Sequence, residues 1–305
     1  MQLQIIDNKD IDRRKWEALV KSDPYGFPYA ASWYLDIVSP KWKALIFEDY
    51  KFALALPTNK KYGISYVFPP SFTQQIGLIG EGDPSESILK QMLAYAAEHF
   101  KYLEFNLNKN NKLEGEIENY KYKWRRNLEL DLSDSYDNIF SNFHKNTKRN
   151  IKKSKESGLI IEKTDNYDAM ISTFIDGKAK NIKGRDLDYT LLTKLIEKGN
   201  EINAVEIYSV KKDSVFLGSA LFINHLKRKV FLFSAINEMG RSHRAMFSLI
   251  DHIIEKNANS DLILDFEGSN DDKLASFYQR FGAKETLYLH LKINQLPFFL
   301  KWLKG

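Results

Sequence analysis

The sequence predicts an α/β (α+β) protein made of two similar modules, each a mixed, mostly antiparallel sheet flanked by helices. Three observations predict it. The chain has 305 residues, more than one core usually organises. Its halves share a coarse plan of helices, a run of antiparallel strands, a helix and a strand, without a close repeat at residue level. Residues 262–282 read as a buried strand, a polar break, a short helix and a stop. The expected boundary lies near Ser133, giving modules of 1–133 and 134–305.

In the first half a helix is predicted over 11–21, followed by a connection through Pro24, Tyr25, Phe27, Pro28 and Tyr29. Segments 43–47 and 52–56 read as a hairpin, and 63–68 as a third strand closed by Pro69 and Pro70. Residues 85–100 place Ile88, Met92, Leu93, Ala96 and Ala97 at helical spacing. A strand over 102–107, a polar loop over 108–118 and a strand over 123–132 complete this half.

The second half opens with one helix over 135–156, ended at Gly158, with Ile139, Phe140 and Phe143 early and a basic cluster late. Helices over 167–181 and 189–198 precede strands over 204–210, 216–224 and 229–235. After a break over 236–242, a helix carries Ala245, Met246, Leu249, Ile250, Ile253 and Ile254 on one face. Leu262, Ile263 and Leu264 suit a strand buried on both faces, and Gly268, Ser269 and Asn270 supply turn and cap chemistry. A last helix runs from Asp271 to Arg280 and stops at Gly282. Leu274, Phe277 and Phe281 are expected to dock it on the sheet, with Tyr278 beside that stripe.

Composition excludes several classes. Hydrophobic residues make up 43% and aromatics 13%, an ample core supply for an ordered protein. The absence of cysteine removes disulfides, thiolate nucleophiles and thiolate zinc sites. No basic region followed by an apolar run opens the chain, and no stretch approaches the roughly 20 apolar residues of a membrane span, so a soluble, cytoplasmic protein is expected. No Gly-x-Ser-x-Gly, Walker loop or His-Glu-x-x-His occurs and the six histidines are scattered, so no metal is expected. A net charge of +5 says little about partners. Its distribution says more: Lys145, Lys148, Arg149, Lys152, Lys153 and Lys155 follow one another without an acidic residue. That density suits phosphates or an RNA backbone, with Lys148, Arg149, Lys152 and Lys153 as candidate contacts, and equally suits a solvated helix face. Trp33, Tyr34 and Trp42 read as packing, or as part of a groove for an acceptor.

Three stretches carry a resemblance: Arg126-Asn-Leu-Glu-Leu-Asp-Leu132, the basic Asn146-Thr-Lys-Arg-Asn-Ile-Lys-Lys-Ser154 with Gly158, and Asp265-Phe-Glu-Gly-Ser269 leading to Phe277-Tyr-Gln-Arg-Phe-Gly282. Together they resemble the tandem-GNAT acyltransferases of the FemAB-like and BioF2-like families, over most of the chain. Residues 66–77, with the proline pair and Gln74-Gln75, look like the corresponding substrate-side strands. The resemblance implies two GNAT-like modules of the acyl-CoA N-acyltransferase fold, with the acceptor side in 1–133 and the acyl-donor side in 134–305.

Two departures bear on function. GNAT enzymes carry Arg/Gln-x-x-Gly-x-Gly/Ala where backbone N–H groups at a helix N-terminus bind the cofactor pyrophosphate. The equivalent here is Arg241, Ser242, His243, Arg244 and Ala245, with Arg244 in place of the close-approach glycine. Its side chain either obstructs the cradle or forks onto phosphate itself, unless the loop is only a polar cap. His243 reads as a cap or surface residue. FemAB-type peptidyltransferases resemble Phe-Lys-x-x-Phe-Gly, whose lysine is implicated in stabilising the oxyanion; here Tyr278 replaces it. GNAT acetyltransferases commonly have a tyrosine there, where a phenol can protonate the departing thiolate. The alternative is a core aromatic with its hydroxyl at the surface. Glu267, past the end of its strand, is the best-placed base by sequence or else a turn carboxylate. If the strand stays regular, Asp265 and Glu267 share a face opposite Phe266.

The leading expectation is an N-acyltransferase moving an acyl group from acyl-CoA, such as acetyl-CoA, to the amine of a small molecule or peptide. The alternatives are a FemAB-type transferase using charged tRNA on a cell-wall precursor, and a non-catalytic binding protein whose pyrophosphate loop has decayed. DNA is not an expected partner, since one basic helix lacks aromatic base-stacking motifs.

Overall fold

The chain divides into a unit of Met1–Arg126 with Leu287–Gly305 and a unit of Asn127–Thr286. The computed structural model describes residues 2–80, 82, 85–113, 120–177, 188–268 and 270–298. In the first unit, β1 (Leu3–Asp7), α1 (Arg13–Ser22), a 3-10 turn (Pro28–Ala30) and α2 (Ser32–Val38) come first. Then follow β2 (Lys43–Phe47), β3 (Phe52–Leu56), β4 (Thr58–Lys61), β5 (Ile64–Val67), β6 (Leu78–Gly80), α3 (Glu86–His99) and β7 (Tyr102–Asn106). Asp12 caps α1 by accepting N–H groups of Arg14 and Lys15, and Ser85 caps α3 by accepting that of Ile88. The expected hairpin of β2 and β3 forms, with Phe47 opposite Phe52, and β1 and β6 flank it. Sequence reasoning misses β1, β4 and β6 because strands of 5, 4 and 3 residues are too short to display a period. Trp42 and Tyr34 are fully buried within this unit, and Trp42 Nε1 donates to Asp36 at 2.8 Å, so the aromatic cluster there is packing.

The second unit takes in the end of β8 (Tyr120–Asp131), then α4 (Tyr136–Ser141), α5 (Lys145–Glu156), β9 (Ile160–Lys163), α6 (Tyr167–Gly177) and α7 (Tyr189–Glu201). There follow β10 (Val205–Lys212), β11 (Val215–His225), β12 (Arg228–Ile236), α8 (Glu238–Ser242), α9 (Ala245–Asn257), β13 (Ile263–Asp265) and α10 (Asp272–Gln279), and then β14 (Lys284–Asn294), which from Leu287 on belongs to the first unit. The strands of the second unit order as β8-β13-β12-β11-β10-β9, with β12 and β13 parallel and the other pairs antiparallel. Leu249, Ile250, Ile253 and Ile254 of α9 enter the core under this sheet, which Phe143, Ile151, Phe266 and Phe281 share.

Four expectations are corrected. The helix expected over 135–156 is two helices: the chain leaves helical geometry before His144, whose Nδ1 accepts the N–H of Asn146 and caps α5. The apolar period survives the break because Ile139, Phe143 and Ile151 all reach one core, so spacing could not expose it. The break over 236–242 contains α8, seated where a Cβ on Gly240 would lie 2.4 Å from the carbonyl of Leu217. In α10 the buried positions are Ala275, Tyr278 and Phe281, while Leu274 and Phe277 are half-buried. Tyr278 therefore belongs to the docking stripe. Residues 287–294, expected with the second module, cluster with the first unit, because β14 pairs with β7 from His290 opposite Asn106 to Asn294 opposite Tyr102. Residues 178–181 of an expected helix, 114–118 of an expected loop and Ser269 lie outside the described residues.

Candidate functional site

Strands β12 and β13 pair only from Arg228 opposite Ile263 to Val230 opposite Asp265. Beyond that point β12 carries an extra residue, since Phe222 faces Phe231 but Leu221 faces Phe233. Such a bulge bends a strand and re-aims its side chains. β13 ends at Asp265, and Glu267 and Gly268 take left-handed φ values of 45° and 52°. The two strands thus stop pairing, and a cavity of about 210 Å³ opens beside the later part of β12. Phe174, Phe231, Met246, Leu274 and Phe277 form apolar walls, and Arg241 and Tyr278 supply polar groups.

Tyr278 is 7% exposed and stacked on Phe266, and its ring also meets Phe231 edge-on at 6.1 Å. The hydroxyl has no hydrogen-bond partner among the described residues. Burial pushes the phenol well up, and the charges of Glu267 and Asp271 add to that. The proton is therefore held firmly at neutral pH, as a proton donor requires. Glu267 is not one of the cavity's lining residues, but its Oε1 is buried, and burial pushes its carboxyl well above the ordinary range.

The residues expected as a phosphate loop, Arg241 to Ala245, span the end of α8 and the start of α9. Arg241 lines the cavity with Tyr278, and its Nη1 donates to the carbonyl of Ile236 at 2.8 Å. Ser242 donates to Met239, His243 ends α8, and Ala245 is buried at the start of α9. Arg244 holds a left-handed conformation, φ 61° and ψ 33°, at the N-cap of α9, and no side chain caps that helix. This backbone region favours glycine. The guanidinium is held aside, Nε donating to Asn150 at 2.9 Å and Nη1 to the carbonyl of Ser242 at 3.0 Å.

The regular strand that would put Asp265 and Glu267 on one face ends at Asp265. Asp265 is 0% exposed and pairs with Arg228, 1% exposed, at 2.7 Å; Arg228 also reaches Glu129 at 2.9 Å. Asp265 Oδ1 accepts from Asn127 at 2.9 Å and from the N–H of Glu267 at 3.0 Å. Its carboxylate anchors the turn that carries Glu267. Spacing gave no signal for this pair, since Arg228 opens a strand whose partner lies 37 residues on.

The four basic residues singled out on α5 do not converge. Lys148 donates to the carbonyl of Ser141 at 2.7 Å, and Lys152 lies 3.9 Å from Glu156. Lys153 is exposed, and Arg149 Nη2 donates to Asn146 at 2.7 Å. Lys155 instead pairs with the buried Asp251 of α9 at 2.9 Å, and Tyr136 donates to the same carboxylate, tying α4 and α5 to α9. No helix among the described residues is long and apolar enough to cross a membrane, and no group of three or more acidic or histidine side chains among them could hold a metal ion.

No family model matches the sequence, and no curated protein does. Among solved structures, FemX matches with a TM-score of 0.71 at 13% identity, over 100% of both chains. A tandem GNAT protein from the clavulanic acid biosynthesis pathway matches with a TM-score of 0.56 at 10% identity, over 97% of this chain and 99% of that one. L-PGS from Bacillus licheniformis matches with a TM-score of 0.56 at 11% identity, over 96% of this chain and 94% of that one. The fold is that of the FemX and tandem-GNAT proteins. At these identities the likeness establishes architecture, and activity has to be argued from the site.

Proposed function

We propose that the protein is an N-acyltransferase that takes an acyl group from acyl-CoA to an amine, with the donor held in the second unit. The observation that carries this reading is the hydroxyl of Tyr278, unpartnered among the described residues and set in an apolar cavity with Arg241. When a neutral amine attacks the thioester carbonyl, the C–N bond forms and the C–S bond breaks. The leaving thiolate then takes the phenolic proton, and a carboxylate accepts the proton lost by the amine. Glu267, turned just past β13 and desolvated, is assigned that second role; desolvation strengthens it as a base. Arg241 and the uncapped N-terminus of α9 are assigned the pyrophosphate.

A donor bearing an aminoacyl group would bring an ammonium. The described residues lining the cavity include no carboxylate, which favours an uncharged acyl group. The aminoacyl-tRNA reading draws instead on the fold of FemX and the exposed lysines of α5. The non-catalytic reading draws on Arg244 standing where a glycine is expected.

Calorimetric titration with acetyl-CoA and longer acyl-CoAs tests the proposal. Binding is expected for the native chain, weaker for Arg241→Ala and little changed for Tyr278→Phe. Absence of binding to every acyl-CoA would sink it, and charged tRNA would then be tested against the same variants.

A further inference from the structure

The basic residues of α5 divide by what they meet. Lys148, Lys152 and Lys155 face a carbonyl or a carboxylate, whereas Lys145 and Arg149 line an open concavity of about 520 Å³ together with His144, Asn146 and Arg280. Arg280 comes from the end of α10, far away in sequence. Its place is fixed by its carbonyl, which accepts the N–H of His144 at 2.9 Å, and by Phe281, which packs edge-on against Phe143 at 5.3 Å. The two walls are thus joined by a core contact and a backbone hydrogen bond rather than by mobile side chains.

The chemistry of the wall is one-sided. Lys145 and Arg280 have no ion pair among the described residues, and none of the five lining residues is acidic. Asn146 Oδ1 is taken by Arg149 Nη2, which orients that guanidinium. His144 Nδ1 accepts from Asn146, so its ring proton sits on Nε2 and that nitrogen is a donor. Three cations and one neutral donor line one concavity whose lining carries no counter-charge. Like charges gathered at one place repel, and a bound anion relieves that repulsion.

We propose that this concavity binds the phosphate dianion of a small phosphorylated ligand, at a site separate from the cavity lined by Tyr278. A phosphate carries close to two negative charges and three acceptor oxygens at neutral pH, which matches two guanidinium forks, an ammonium and an imidazole N–H. A nucleic-acid backbone asks for a track of cations and stacking platforms. This wall holds one compact cluster, and its lining has no phenylalanine, tyrosine or tryptophan.

The test is titration of the full chain with inorganic phosphate and with glycerol 3-phosphate at low ionic strength, read by calorimetry and by arginine side-chain NMR shifts. Saturable binding of glycerol 3-phosphate with a dissociation constant on the order of 1 mM or tighter is expected. Arg149→Gln and Arg280→Gln should each weaken it by about tenfold. Lys153→Gln, Arg241→Ala and Tyr278→Phe should leave it unchanged, which separates this site from the acyl-donor reading. Arg149 is exposed, so its substitution keeps the fold even if that of Arg280 does not. No saturable binding of either probe, or equal affinity in Arg149→Gln and the native chain, overturns the proposal. Tight binding of an RNA hairpin in the absence of small-phosphate binding overturns it too, in favour of a polynucleotide surface.

Discussion

Phe266 and Tyr278 stack face to face, with ring centroids 4.5 Å apart and planes inclined by 17°. The residue that follows the last paired position of β13 therefore holds the ring of the proposed proton donor. Since the ring rather than the hydroxyl makes the contacts, Tyr278→Phe should unfold within about 1 kcal/mol of the native chain. Acyl transfer should nevertheless fall by roughly 10²- to 10⁴-fold, the usual weight of a general acid, with donor affinity nearly unchanged. Steady-state rates and urea unfolding on the same preparations check this. Full activity in the phenylalanine variant would remove Tyr278 from the chemistry.

Removing one partner of a buried ion pair leaves the other charge uncompensated. Asp265→Ala should cost about 3–5 kcal/mol in urea unfolding, because the buried Arg228 loses one of its two carboxylate partners and the N–H of Glu267 loses its acceptor. A loss below about 1 kcal/mol would show that water reaches this network.

Acid should weaken the fold in two steps. Burial lowers His290 to about 4, with the charge of Arg125 helping and Glu104 opposing. The unfolded chain binds the proton more readily, so stability is full above about 6.5 and declines as pH falls toward 4. Glu206 is pushed up by burial, but Lys229, Asn224 and Lys163 outweigh that and hold it at about 2. Its contribution is present above about 4.5 and is lost on the way down to 2. His290→Gln should flatten the first limb and leave the second. Unfolding free energies measured from pH 7 to pH 3 decide it.

At position 244 the ordinary helix-propensity order should reverse. Both Arg244→Ala and Arg244→Gly lose the bonds to Asn150 and Ser242, but only glycine relieves the left-handed backbone. The glycine variant should be more stable than the alanine variant by about 1 kcal/mol in thermal unfolding. An alanine variant equal to or above glycine would mean that the backbone relaxes out of this conformation.

Several elements with a period or a cap were legible, although the 11-residue β14 was not read as a strand. The β2–β3 hairpin, α3 behind Ser85, and α10 between Asp271 and the left-handed Gly282 (φ 82°) all follow from local chemistry. What local chemistry does not encode is which partner a side chain finds. Tyr278 at helical spacing looked peripheral to the stripe, and only its contacts with Phe231 of β12 and with Phe266 just past β13 show it buried. The same holds for Arg280, whose nearness to Arg149 depends on a backbone bond to His144. Arg241 could be picked from the resemblance and Glu267 from its place past a strand, whereas a shared face for Asp265 depended on a strand regularity that three residues cannot reveal.

Because residues 287–294 close the first unit while 127–286 form the second, order of synthesis and order of completion run in opposite senses. On the ribosome the second unit is whole as soon as Thr286 clears the exit, but β7 still waits for β14 and presents a bare edge. A nascent chain stalled after Thr286 should hence expose a sticky strand that chaperones would have to cover, although every residue of its amino-terminal half has long been made.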